Sequence, residues 1–97
     1  MTLREQPGDN EVVAPGDYSQ VADEQLDEIE STDASLYNDI LTICEMIFTN
    51  PDRAQAMSSA IQTGQGIRLR LAVPGHHPYK VFWATDGPRI EAVFPHP

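Results

Sequence analysis

The stretch Ile67 to Pro97, IRLRLAVPGHHPYKVFWATDGPRIEAVFPHP, is three strand-like runs joined by two turn signals, and it limits the chain more than any other segment. Ile67, Leu69, Leu71 and Val73 alternate with Arg68, Arg70 and Ala72. That period of two puts one set on each face of a strand. Pro74 to Pro78 reads as a turn. Tyr79 to Thr85 follows as a strand with Tyr79, Val81 and Trp83 opposite Lys80, Phe82 and Ala84. Asp86-Gly87 is a hairpin signal, and Ile90 to Phe94 forms the last strand, stopped by Pro95. An antiparallel meander results. Arg68, Arg70 and Lys80 are placed opposite Leu69 and Val81, on a face that must be open or offer partners, because an isolated buried charge is costly. A cationic sheet face suits an anionic ligand. Its plainer use is a solvated surface with arginines paired to Glu91 on a neighbouring strand.

The segment before the meander is helical. Asp17 or Ser19 caps a first helix running to Glu30, with Val21, Leu26 and Ile29 as its narrow apolar stripe. Asp23, Glu24, Asp27, Glu28 and Glu30 form its solvated face rather than a metal site. Ser31-Thr32-Asp33 is a turn and cap. The second helix, Ala34 to Thr49, carries Leu36, Ile40, Ile43 and Ile47 at helical spacing, with Tyr37, Leu41, Cys44 and Phe48 as a second stripe. So wide an apolar face implies packing on two sides, between the sheet and the first helix. Asn50-Pro51-Asp52 ends this helix and opens a third reaching Ile61, and Thr63 to Gly66 reads as a flexible link. Glu11 to Ala14 is a short edge strand before the Pro15-Gly16-Asp17 break, and residues 1–10 form a flexible tail. Residues 11–97 are then one α+β domain, two or three N-terminal helices on a three- to four-stranded antiparallel sheet. Its core should include Ile40, Ile43, Ile47, Leu69, Leu71, Val81 and Trp83.

Charge is divided unevenly. The net charge of −9 argues against generic nucleic-acid or acidic-membrane binding. Residues 1–50, however, hold Arg4 against twelve acids, and residues 51–97 hold five Lys or Arg against Asp52, Asp86 and Glu91. An acidic helical half thus joins a mildly basic sheet half. No apolar run approaches the ~18 residues of a membrane span, and the first residues lack a basic-then-apolar leader pattern. The expectation is a soluble cytoplasmic protein without membrane contact.

Few residues suggest chemistry on their own. Cys44, the single cysteine, lies on an apolar stripe with only Glu45 as a charged neighbour, which describes a buried thiol better than a nucleophile. His76, His77 and His96 invite a zinc reading, but no spaced Cys or acid completes a four-ligand set. Tyr79 and Trp83 share a face with Val81 and read as core rather than as a base-stacking platform. His96 stands at a chain end, where either fraying or catalysis would place it.

The order of weak strand, two helices and three-stranded meander resembles the RelE/ParE toxin superfamily of bacterial toxin–antitoxin systems. The resemblance runs over about residues 11–96 and is carried by EVVAPGDYSQVADEQLDEI, IFTNPDRAQAM, IRLRLAVPGHHPYKVFWAT and DGPRIEAVFPHP. It implies a metal-independent, cofactor-free endoribonuclease that cuts mRNA at the ribosome and is neutralised by a cognate antitoxin protein. It also implies a site of cations on the sheet plus a late His or Tyr. Arg68 and Arg70 match the basic positions of the first paired strand, Lys80 that of the next, and His96 the late histidine. The alternative implied by the same family is a catalytically silent or gyrase-directed protein-binding module. The basic sheet and His96 favour the nuclease. The acidic first half, and a lysine at Lys80 where the family commonly has an arginine, favour the binding module, since lysine does not grip phosphate bidentately.

Overall fold

The computed structural model describes residues 17–97, so the tail at 1–10 and the edge strand Glu11 to Ala14 lie outside the described residues. The elements are β1 (Asp17–Tyr18), α1 (Gln20–Thr32), α2 (Ala34–Thr49), α3 (Pro51–Met57), β2 (Ser59–Thr63), β3 (Gly66–Ala72), β4 (Tyr79–Ala84) and β5 (Arg89–Pro95).

Each helix starts on a side chain that accepts an otherwise orphaned amide. Ser19 accepts from the Ala22 N–H at 3.0 Å, Asp33 from Leu36 at 3.1 Å, and Asn50 from Arg53 at 3.3 Å with Pro51 at the first turn. On α1 the inward stripe is Ala22, Leu26 and Ile29. Val21 is 54 % exposed, so the inward phase expected through Val21 is corrected by one residue.

Among the described residues the sheet has five strands, in the order β1-β5-β4-β3-β2. β2 to β5 form an antiparallel meander, and β1 pairs in parallel with β5, Asp17 opposite Arg89 and Tyr18 opposite Ile90. The three- to four-stranded, purely antiparallel sheet expected from the sequence is therefore corrected to a five-stranded mixed one. The extra strand of the meander is Ser59–Thr63, where helix and link were expected. Here α3 stops at Met57, Ser58 turns extended, and the Trp83 indole donates to its hydroxyl at 3.1 Å. Thr63 Oγ1 then accepts from the Gln65 N–H and donates to the Gly66 carbonyl, closing a tight turn. Gly66 has φ +110°, which a side chain would resist.

Among the described residues, helices cover one face of the sheet only. α1 lies against β5, α2 against β4 and α3 against β3, with α1–α2 and α2–α3 in contact. The helices thus make one layer, and α2 does not stand between the sheet and α1 as expected. Ile40, Ile43, Ile47, Leu71, Val81 and Trp83 are buried as expected, together with Val73, Ile90 and Val93, while Leu69 is partly buried at the margin.

Among the described residues β1 is short and leaves most of the outer edge of β5 without a strand, and the Ser19 cap and α1 cover it. The Ser19 N–H donates to the Ile90 carbonyl at 2.9 Å, its hydroxyl donates to the Glu91 carbonyl, and Gln25 Oε1 accepts from the Val93 N–H at 2.6 Å. Ser19→Ala removes both hydroxyl bonds from a buried site and should cost about 2 kcal/mol, read as a lower urea midpoint with unchanged slope.

Beneath α2, burial pushes the Cys44 thiol from 9.0 up to about 12, opposed in part by the Tyr18 hydroxyl beside it. Tyr18 is raised as well, by burial first and then by Cys44. Both groups stay protonated in the fold at a pH where the unfolded chain releases their protons, so the unfolded state gains as pH rises. This stabilising contribution should be intact below pH 9.0 and lost as pH climbs towards about 12. A lower urea midpoint at about pH 10.5 than at about pH 8, relieved in part by Cys44→Ala, is the expected result.

Candidate functional site

The strand registers decide what shares the helix-free face. Arg70 pairs with Phe82, Ala72 with Lys80, Phe82 with Ala92 and Lys80 with Phe94. Directly opposed residues point to the same side. Arg68, Arg70, Lys80, Phe82, Ala92 and Phe94 therefore face away from the helices, as the alternation in β3 and β4 required. The three cations lie opposite Leu69 and Val81.

One irregularity shapes the centre of this face. Trp83 pairs with Ile90 but Phe82 with Ala92, so Glu91 is an extra residue in β5, a bulge. The bulge lets Ile90 and Val93 both reach the core. It also brings the Glu91 carboxylate to Arg68 at 3.7 Å and to Arg89 at 3.9 Å. Arg89 makes a second ion pair, at 3.5 Å, with Asp17.

Arg70 is held differently. Its Nε donates to Ser59 Oγ at 3.3 Å, and one terminal nitrogen lies 2.8 Å from Nδ1 of His96. Arginine has no lone pair to offer, so His96 Nδ1 is the acceptor and the neutral ring carries its proton on Nε2. His96 does not trail from the chain end. Its backbone N–H donates to the Pro78 carbonyl at 2.9 Å, and its ring meets Phe82 edge-on at a centroid distance of 5.3 Å. Phe82 and Phe94 stack at 4.5 Å with 7° between their planes. Phe82 is thus 6 % exposed although it lies on the helix-free side, while Phe94 remains 37 % exposed. Around these rings runs a groove of about 520 Å³ whose lining includes Ile61, Arg68, Phe82, Arg89, Glu91 and His96.

Of the four residues singled out in the sequence, the structure joins Arg70 and His96 directly. Arg68 shares their face but is engaged by Glu91, which lies on β5, across β4, and not on a neighbouring strand. Lys80 shares the face too, with its ammonium turned to the Pro78 carbonyl at 3.2 Å. The sequence reading missed Phe82, Phe94, Arg89 and Ser59 as parts of this surface. Phe82 and Phe94 carried a usable signal, since both alternate with core residues and an aromatic on the solvent side of a strand calls for a partner. His76 has a structural contact: its Nε2 lies 2.7 Å from an Asp39 oxygen and ties the β3–β4 turn to α2. Among the described residues no three His, Cys, Asp or Glu side chains gather as a ligand set. No helix among them is long and apolar enough to cross a membrane.

Compared with protein-family models, curated proteins and solved structures, the chain matches none.

The Arg70–His96 contact has a spectroscopic consequence. At about pH 8, where a free imidazole is neutral, nitrogen NMR should show His96 as the Nε2–H tautomer with an unprotonated Nδ1. Arg70→Ala should return the ring to a tautomer mixture. A ring protonated on Nδ1 in the native chain would contradict the contact.

Proposed function

We propose that the helix-free sheet face binds the backbone of single-stranded RNA and cleaves it without a metal, the chain being the toxin of a bacterial toxin–antitoxin pair. Ribosome-bound mRNA is then its substrate and an antitoxin protein its inhibitor. The observation that supports this reading most directly is the Arg70–His96 pair, a fixed cation touching a titratable base beside an exposed aromatic ring. A scissile phosphate drawn to Arg70 competes for the guanidinium and frees His96 Nδ1. That lone pair takes the proton of the ribose 2′-hydroxyl as the 2′-oxygen attacks phosphorus. The bond to the 5′-oxygen breaks, the leaving oxygen takes a proton from solvent, and a 2′,3′-cyclic phosphate remains. Arg70, with Arg68 when Glu91 releases it, stabilises the charge gathered on the phosphorane. Phe94 offers a neighbouring base a ring to stack on.

A second reading has an observation of its own. Glu91 sits among the cations and pairs with two of them, which blunts an anion site and suits a protein partner with mixed charge. It supports the reading of a catalytically silent or gyrase-directed binding module.

Induced expression in bacteria lacking any antitoxin, with mapping of mRNA ends, separates the readings. The nuclease reading expects growth arrest with cleavage. Arg70→Ala and His96→Ala should each lower the cleavage rate of purified, folded protein by about 10²–10³, and chelator should leave it unchanged. Arrest with blocked DNA supercoiling and intact mRNA would select the gyrase-directed module, and neither effect the silent one.

A further inference from the structure

β2 ends the sheet on the side away from β1, and among the described residues no strand lies along its outer edge. Exposed edges normally carry a charge, a proline, a bulge or a cover that prevents further pairing. β5 shows such protection: Ser19 and Gln25 occupy its outer backbone groups where β1 runs out. Among the described residues β2 shows none of it. Its sequence, Ser-Ala-Ile-Gln-Thr, has no charge and no proline, and its five residues pair with β3 in unbroken register from Ser59–Arg70 to Thr63–Gly66.

We propose that Ser59–Thr63 pairs antiparallel with the same strand of a second copy, around a twofold axis at Ile61, joining two five-stranded sheets into one. A twofold interface must be complementary to itself, and this strand is. Ser59 would face Thr63 of the other copy, Ala60 would face Gln62, and Ile61 would face its counterpart, so no charge meets a like charge. Charge distribution favours a second copy at this edge and opposes it elsewhere. The acids of the chain are concentrated before residue 51, and the acidic α1 lies over β5, at the other side of the helix layer. α3, the helix against β3, carries Asp52 balanced by Arg53. Two of the most exposed large apolar side chains, Met57 at 54 % and Ile67 at 64 %, flank β2 near its two ends, adding apolar area to a short ladder. Because the axis closes on itself, the product is a dimer and not a filament. Its two helix-free faces lie side by side, whatever those faces bind.

Sedimentation of the full chain over a concentration series to ~1 mM, where even a complex of millimolar Kd is populated, tests this. The native chain should shift from 10.8 kDa to twice that mass. The double variant Ala60→Lys/Gln62→Lys puts like charges directly opposite across the axis, as does Ala60→Glu/Gln62→Glu. Each alone should stay monomeric with a native circular dichroism spectrum. An equal mixture of the two should recover the dimer, which a folding defect could not do. A native chain that remains at 10.8 kDa throughout would overturn the proposal and leave the edge to a strand of another protein. Charged variants that still dimerise, or a mixture that does not pair, would overturn it as well.

Discussion

Ser19 is the joint on which the two halves of this chain turn. Its backbone extends the parallel β1–β5 pairing by one bond, and its hydroxyl at once accepts from the Ala22 amide in the first turn of α1 and donates to the Glu91 carbonyl. A buried hydroxyl left without partners is expensive. The start of α1, the edge of β5 and the bulge at Glu91 are therefore coupled through one side chain. Gln25, on the same helix, repeats the device further along β5 at Val93. The helix layer is thus attached to the sheet by hydrogen bonds along the β5 edge, by the Trp83–Ser58 and His76–Asp39 contacts elsewhere, and by apolar burial.

The bulge connects that joint to the surface opposite. An extra residue in β5 keeps both Ile90 and Val93 in the core and leaves Glu91 on the other side, among arginines. Packing on the helix side therefore sets electrostatics on the helix-free side. The carboxylate restrains Arg68 and Arg89, while Arg70, with no ion pair to an acid among the described residues, turns to His96. Phe82 completes the arrangement. It is buried on the side without helices because Phe94 stacks on it and His96 meets it edge-on. A small hydrophobic cluster on the open face gives the Arg70–His96 pair a fixed base.

Much of this architecture was legible in the residues. Ser19, Asp33 and Asn50-Pro51 announced helix starts because a cap is a contact within one turn of chain. The alternation in β3 and β4 put Leu71, Val81 and Trp83 inward and Arg68, Arg70 and Lys80 outward, because successive strand residues must point to opposite sides. Ser59–Thr63 escaped detection. With a single large apolar residue, Ile61, it shows neither a strand nor a helix period, and it becomes a strand because β3 supplies its hydrogen bonds and Thr63 closes the turn. Val21 and Ala22 were confused for a related reason: a narrow stripe tolerates a rotation of one residue until β5 is there to select the phase.

The sequence by itself determined what is local: where helices begin, which strand residues share a face, and the separation of an acidic half from a basic one. These follow from bonds and periodicities spanning a few residues. Tertiary structure decided what met what. Arg70 lies on β3 and His96 follows the end of β5, 26 positions away and two strands across the sheet, so their contact depends on two registers and on the bulge between Phe82 and Trp83. Those registers are set by the fit of Ile90, Val93, Val81 and Trp83 beneath the helices, and such packing energies exist only once distant segments have come together.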